Sequence, residues 1–174
     1  MESTWQDRIV DVSDFPKPGI VFKDITPVLA DPAAHEQLNA ELCGAWIDAG
    51  ITHVVGVESR GFIFGTSLAQ LLGAGLVLVR KPGKLPRETR SVSYELEYGT
   101  DSLELHVDDL KPGDRVLISD DVLATGGTAE ATAKLVSASG ATVVGFSFVI
   151  ELGFLSGRDK LADFGSVDSR LILE

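Results

Sequence analysis

The sequence has few of the features that mark secreted, membrane-spanning or nucleic-acid-binding proteins. Its one cysteine, Cys43, cannot form an internal disulfide, so we expect a reducing, cytoplasmic environment. No apolar run approaches the length that spans a bilayer, and the N-terminal residues contain no hydrophobic signal region. Basic residues number 15 against 26 acidic ones, and the net charge of −11 argues against a nucleic-acid or anionic-membrane partner. A phosphate-bearing ligand would therefore need a local concentration of cations.

The apolar content is sufficient for a globular protein. Apolar residues make up 44% of a chain of 174 residues, which is long enough for one domain with a sizeable core. Short apolar strands alternate with helix-forming segments, and no linker, repeat or low-complexity stretch separates them. This alternation predicts an α/β domain with a mainly parallel central sheet flanked by helices.

Residues 115–133, RVLISDDVLATGGTAEATA, carry the clearest chemical signal. The apolar run at 116–118 is too short for a helix and predicts a buried strand, which Asp120 and Asp121 follow directly. A good helix-forming segment covers residues 129–139 and ends at a glycine. The order predicts a strand, an acidic loop and the start of a helix in succession.

The loop before this helix has the composition of a phosphate-binding turn. Gly126 and Gly127 allow the backbone to turn so that several N–H groups point inward. The positive end of the helix and the hydroxyls of Thr125 and Thr128 add to the attraction for phosphate. The preceding acid pair would repel such a ligand unless it binds ribose hydroxyls or a metal, and a 5-phosphorylated sugar suits both groups. The alternative is an ordinary polar turn with solvated acids.

A second strand–turn–helix unit covers residues 53–72. A strand at 53–57 leads into Glu58, Ser59 and Arg60, and a helix is predicted over about 62–72. Arg60 offers a bidentate donor for an anion, which Ser59 can assist. The alternative is an ordinary loop with a solvated arginine.

The third predicted strand, at 76–79, ends in Arg80, Lys81 and Lys84, which form a cationic cluster in an acidic chain. Open α/β sheets bind ligands at the carboxyl ends of their strands, although a solvated charge run would read the same way. The segment 82–91 has no periodicity and predicts a mobile lid.

The remaining segments yield structural predictions. Alternation at 92–98 and 103–107 around a turn predicts an antiparallel hairpin, and further strands are predicted at 141–150 and 170–173. Apolar spacing predicts a helix over 4–12 and a short extended arm at 20–22. Asp31 and Pro32 signal a helix start, and Gly50 its end, with Leu38, Leu42, Trp46 and Ile47 on one face.

The stretch VLISDDVLATGGT resembles the phosphoribosyl-pyrophosphate (PRPP) motif of the type I phosphoribosyltransferase family. Residues 15–32, 56–65, 79–86 and 94–99 resemble the adenine phosphoribosyltransferases within it, in the family's order and over nearly the whole chain. The resemblance implies the type I fold as a single domain, with an N-terminal hood over about 1–32 and a core over about 33–174 that carries a lid near 82–100. It also implies a homodimer that uses Mg²⁺ and transfers the phosphoribosyl group of PRPP to adenine, which gives AMP and pyrophosphate.

The same resemblance implies roles for particular residues. Glu97 is expected to exchange a proton with the purine. Mg²⁺ is expected to be held mainly by PRPP, near Asp120, and the Glu58–Ser59 peptide is expected to be cis. The residues implied to bind adenine are Val21, Phe22, Lys23 and Leu152. Those implied to bind PRPP or AMP are Ser59, Arg60, Lys81, Lys84, Asp120, Asp121, Ala124, Thr125, Gly126, Gly127 and Thr128.

Some alternatives remain open from the sequence. Lys23 stands where the family commonly has arginine, a swap that matters only if the side chain, and not the backbone, contacts the base. A phosphoribosyltransferase for xanthine, hypoxanthine or orotate would share the PRPP motif. A regulator that senses PRPP or purine would need a basic DNA-binding segment, which this chain lacks. A dinucleotide-binding protein is disfavoured because no GxGxxG follows any strand.

Overall fold

A computed structural model describes residues 4–95 and 99–174 of the chain. The chain divides into two compact units, Met1–Glu41 and Leu42–Glu174. The expected single domain, with a hood over residues 1–32 and a core over 33–174, stays a prediction. Within the described residues, no helix combines the length and apolar character needed to cross a membrane.

The first unit begins with a short 3-10 helix, Trp5–Arg8, and the antiparallel strands β1 (Val10–Ser13) and β2 (Val21–Asp24). The predicted helix over 4–12 is therefore wrong beyond Arg8. The backbone N–H of Thr4 donates to Asp7 Oδ2 at 2.8 Å, which favours a single tight turn. The β-branched residues that follow alternate with polar ones and pair with β2, so the strand pattern prevails over the helical spacing.

Two helices follow, α1 (Thr26–Ala30) and α2 (Pro32–Gly44). Asp31 caps α2 as predicted, since its Oδ1 accepts from the N–H groups of Ala33 and Ala34, both at 3.1 Å. The predicted end at Gly50 is wrong, because tight turns replace the helix after Gly44. Of the predicted apolar face, Leu38, Leu42 and Trp46 are buried, whereas Ile47 is 66% exposed.

The second unit is built on a five-stranded parallel sheet. Its elements in chain order are β3 (His53–Val57), α3 (Gly61–Leu72), β4 (Gly75–Val79), β5 (Thr89–Glu95), β6 (Thr100–His106), β7 (Arg115–Leu123), α4 (Gly127–Ala138), β8 (Thr142–Leu152), two 3-10 helices (Gly153–Leu155 and Gly157–Leu161) and β9 (Ser166–Leu173). The strand order is β4-β3-β7-β8-β9, and every pairing is parallel. The predicted mainly parallel sheet flanked by helices is confirmed.

The parallel arrangement brings the carboxyl ends of the strands to one edge of the sheet. Strand β7 is longer than the predicted apolar run, because β8 pairs with it as far as Leu123 opposite Glu151. Buried Ile118 and Phe146 form part of one core with Ala133 and Val136 of α4. This core fixes β7, whose last residues include the acidic pair, and α4, which begins in the glycine loop.

The predicted hairpin is formed by β5 and β6, which pair from Thr89 opposite His106 to Glu95 opposite Thr100. Leu96, Glu97 and Tyr98 lie outside the described residues. Of the predicted lid, residues 82–88 contain no helix or strand, and regular structure begins at Thr89. Backbone hydrogen bonds between Arg80 and Glu104 tie the base of this segment to β6.

Candidate active site

Two adjoining cavities lie at the carboxyl edge of the sheet, within the second unit. One, of about 260 Å³, is bordered by the turn after β3, the cluster after β4, the hairpin and the end of β7. The other, of about 80 Å³, lies within the loop between β7 and α4. They share Asp120 and Thr128, so the structure brings the two predicted anion-binding turns, after β3 and before α4, next to each other. Residues that line the larger cavity are Glu58, Ser59, Arg60, Lys81, Tyr94, Leu103, Asp120, Asp121 and Thr128.

The glycine loop adopts the conformation that an anion seat requires. Gly126 precedes α4 with φ +81°, a left-handed conformation that favours glycine. Helix α4 begins at Gly127, two residues before the predicted start. The unpaired N–H groups of its first turn therefore lie in the loop itself. Ala124, Thr125, Gly127 and Thr128 line the smaller cavity together with Gly126.

The two acids have different surroundings, because consecutive strand residues point to opposite faces. Asp121 is buried and accepts from Nε of Arg60. Asp120 faces both cavities, and its Oδ1 accepts from the backbone N–H of Asp121 at 2.9 Å. Burial raises the pKa of Asp120 well above the ordinary aspartate value, and the neighbouring Asp121 carboxylate raises it further. Only Asp120 of the pair thus presents a carboxylate to a ligand in both cavities.

The start of α3 packs closely against the backbone next to the two acids. A Cβ on Gly61, the first residue of α3, would lie 2.7 Å from the carbonyl oxygen of Ser119 and 3.0 Å from Asp120 Oδ1. Any larger residue at position 61 would displace the backbone next to the acids. The start of α3 and the end of β7 are therefore in direct contact.

Glu58, on the other side of the larger cavity, accepts from three cationic residues, a role that the sequence did not reveal. Of these, Lys81 lines the larger cavity, whereas Arg80 and Lys84 are not among its lining residues. Lys84 Nζ donates to its Oε1, while the backbone N–H of Lys81 (2.9 Å) and Nε of Arg80 (3.3 Å) donate to its Oε2. Burial alone would raise the pKa of Glu58, but these donors together lower it to about 2. The Glu58–Ser59 peptide is cis, as expected.

A polar network also connects the hairpin to the glycine loop. Lys81 Nζ donates to Asp101 Oδ2, which also accepts from the Tyr94 hydroxyl at 3.4 Å. The Thr128 hydroxyl in turn donates to the Tyr94 hydroxyl at 3.4 Å. Tyr94 and Asp101 were not predicted as site residues. In the sequence, Tyr94 belongs to the apolar side of a predicted strand and Asp101 to the predicted turn, so neither carries a chemical signal.

The residues expected to bind adenine occur in both units. In the first unit, Val21 is 54% exposed and the Phe22 ring packs edge-on against Phe15, with 5.2 Å between centroids. Nζ of Lys23 donates to both oxygens of Asp11, at 2.6 and 2.7 Å, which favours a backbone role for position 23. In the second unit, Leu152 ends β8 and is partly buried. Their contacts with a base, and the role of Glu97 outside the described residues, stay predictions.

The carboxylates at the site suit a metal that arrives with its ligand. Among residues 4–95 and 99–174, no cluster of three or more histidine, cysteine, aspartate or glutamate side chains could hold a metal ion. Mg²⁺ is commonly bound through one or two carboxylates together with substrate phosphates and water. Because Asp121 is paired with Arg60, Asp120 is the carboxylate that fits this arrangement.

Comparison with known proteins places this site in a family. A family model described as a phosphoribosyl transferase domain matches residues 29–163. An adenine phosphoribosyltransferase from an Anaeromyxobacter species is 59% identical over 154 residues, which cover 88% of this chain and 87% of the relative.

Solved structures lead to the same family. Adenine phosphoribosyltransferase from Rhodothermus marinus is 54% identical, with a TM-score of 0.92 over 97% of this chain and 96% of that one. The enzyme from Saccharomyces cerevisiae, solved with adenine and an imino-altritol bisphosphate, is 40% identical, with a TM-score of 0.88 over 94% of each chain. The chain therefore belongs to the type I phosphoribosyltransferase family, within its adenine phosphoribosyltransferase branch.

Proposed function

We propose that the adjoining cavities bind PRPP and that the enzyme transfers its 5-phosphoribosyl group to adenine, which yields AMP and pyrophosphate. One observation carries the assignment to this site: the glycine loop, the Asp120 carboxylate and the Lys81 and Arg60 cations surround two adjoining cavities that share Asp120 and Thr128. A phosphate seat, a hydroxyl acceptor and a set of cations correspond in order to the three parts of PRPP. The names of the relatives agree with this reaction.

The loop from Ala124 to Thr128 binds the 5-phosphate in this proposal. The N–H groups at the start of α4 and the hydroxyls of Thr125 and Thr128 would donate to its oxygens. The ribose hydroxyls would donate to Asp120. Because hydrogen bonds to the charged form favour it, ligand binding should shift Asp120 towards its ionised state.

The cationic side of the cavity receives the pyrophosphate. Arg60, Lys81 and Lys84 are paired with Asp121, Asp101 and Glu58 respectively. In the complex, pyrophosphate would accept hydrogen bonds from these cations and from Ser59. In the free protein, the three carboxylates stabilise the same positive charges. Mg²⁺ bound with PRPP near Asp120 would supply further positive charge to the leaving group.

Transfer itself needs charge to be held in place, not a protein nucleophile. The bond between the anomeric carbon and pyrophosphate breaks as positive charge develops on the sugar, which ionised Asp120 would stabilise. Glu97 would exchange a proton with the purine, and Leu152 would pack against its ring. The lid over 82–100 would exclude water, which otherwise hydrolyses PRPP.

The test is AMP formation from adenine and PRPP, with guanine, hypoxanthine, xanthine and orotate as competing bases. Adenine should be converted at least about 100-fold more efficiently than the others, because a base site that hydrogen-bonds its substrate rejects mispaired analogues strongly. Preference for another base would reassign the substrate within the fold. PRPP binding without turnover of any base would indicate a sensor and overturn the proposed activity.

We also propose that the enzyme acts as a homodimer in the cytoplasm. Cys43 is a free, buried thiol, which suits a reducing compartment. Analytical ultracentrifugation at micromolar concentration tests the dimer, and a single species of monomer mass would contradict it.

A further inference from the structure

The glycine loop is in direct backbone contact with Gly157, 31 residues after Gly126 in the chain. A Cβ on Gly126 would lie 2.5 Å from the carbonyl oxygen of Gly157. Conversely, a Cβ on Gly157 would lie 2.1 Å from the carbonyl oxygen of Ala124 and 2.9 Å from the nitrogen of Gly126. No side chain fits between the two segments, so the backbone of Gly157 forms the floor of the loop.

Space alone accounts for glycine at position 157. Its φ is outside the left-handed range, so other residues could adopt its backbone conformation, whereas φ of +81° at Gly126 favours glycine in any case. Gly157 is buried at the start of a 3-10 helix whose last residue, Leu161, is fully buried in the core. The floor is thereby anchored to the body of the second unit.

A bidentate ion pair between Arg158 and Glu151 holds the segment that contains Gly157 against the sheet. Nε of Arg158 donates to Glu151 Oε1 at 3.0 Å, and Nη2 donates to Oε2 of the same carboxylate. Nη1 of Arg158 donates to the carbonyl oxygen of Val167 at 2.8 Å. Glu151 is 5% exposed near the end of β8, and Val167 lies on β9. The guanidinium thus connects the residue next to Gly157 to two strands of the sheet.

We propose that Gly157 is a positioning residue for the 5-phosphate of PRPP and that the Arg158–Glu151 pair holds it in place. Neither residue contacts the ligand; they act by fixing the Ala124–Gly126 backbone and hence the N–H groups at the start of α4. Misplacement of a binding group by about 1 Å can cost about 100-fold in activity. The inference rests on the proposed function, since it assumes that this loop binds the 5-phosphate.

The test compares two ligands that report on opposite ends of the site. The affinity for ribose 5-phosphate reports on the glycine loop, whereas the affinity for pyrophosphate with Mg²⁺ reports on the cations around Glu58. In calorimetry, Gly157→Ala should bind ribose 5-phosphate at least about tenfold more weakly than wild type, because the N–H donors of the glycine loop are displaced. Its affinity for pyrophosphate should stay within about twofold of the wild-type value. Gly44→Ala is the control, since a Cβ there meets nothing within 4 Å. It should leave both affinities unchanged.

Two arginine variants provide the test should Gly157→Ala fail to fold. Arg158→Lys keeps the charge but loses the planar fork, so ribose 5-phosphate should bind about threefold more weakly; Arg158→Met should weaken it about tenfold. Pyrophosphate affinity should stay near wild type in both. Unchanged ribose 5-phosphate binding, or equal losses for the two ligands, would overturn the inference. Failure of the wild type to bind ribose 5-phosphate would instead overturn the proposed function.

Discussion

Nε of Arg60, at the start of α3, donates to the carboxylate of Asp121 on β7, so a cation expected for pyrophosphate is held by an acid expected for ribose. Asp121 is buried, whereas the side chain of Arg60 is 47% exposed. The buried acid therefore orients an arginine whose exposed part borders the cavity. This relationship separates the duties of the two adjacent acids, which looked equivalent in the sequence.

Asp121→Asn should raise the KM for PRPP by about tenfold, because Arg60 loses the charge that orients it. Steady-state kinetics at saturating adenine measure the effect. Asp168→Asn is the matched control, since Asp168 pairs with Arg170 on β9, outside both the larger cavity and the proposed lid. Tighter PRPP binding by Asp121→Asn would mean that Asp121 competes with the ligand for Arg60, contrary to the positioning role.

Glu97→Gln should lower kcat by about 100-fold, because general acid–base catalysis contributes at least about that factor to the rate of the chemical step. Both KM values should stay within about threefold of the wild-type values. Rapid-quench measurement of AMP formation separates chemistry from product release. Glu95→Gln, which changes an exposed acid at the end of β5, two residues earlier in the sequence, should behave as wild type. An increase in KM for adenine with unchanged kcat would instead assign Glu97 to base binding.

Much of the sheet was predictable because its strands are short apolar runs between turn residues. The strand at 53–57 matches β3, and the glycine loop was recognised from local composition alone. The extension of β7 through Asp120 and Asp121 was not, because it depends on pairing with β8. Local pattern fixes which residues can form a strand, and tertiary pairing decides where the strand ends.

The organising roles of Glu58 and Gly157 were invisible in the sequence for the same reason. Glu58 meets Arg80 and Lys81 because β3 and β4 pair with Val57 opposite Val79. Gly157 meets Gly126 only after β8 has returned the chain to the carboxyl edge. Both contacts join distant segments, and neither leaves a periodic signal.

Glu58 should contribute to the acid stability of the enzyme. Its pKa is about 2 in the folded protein and ordinarily 4.5, so the stabilisation is present above 4.5 and is lost as the pH falls towards 2. The free energy of unfolding, measured in urea across this range, should fall more steeply for wild type than for Glu58→Gln. Glu36→Gln, at an exposed position on α2, should retain the wild-type slope. Equal slopes for wild type and Glu58→Gln would contradict the assignment.

Binding of ribose 5-phosphate should release a proton from Asp120. The pKa of Asp120 is raised in the free enzyme, and ribose hydroxyls that donate to its ionised form should lower it in the complex. Affinity should therefore increase with pH through the raised pKa, and calorimetry in buffers of different ionisation enthalpy should detect proton release. Asp120→Asn lacks the titrating group, so it should bind more weakly and release fewer protons. Because the ligand phosphate titrates identically in both experiments, the difference between them reports on Asp120, and equal release would place the ribose hydroxyls on another acceptor.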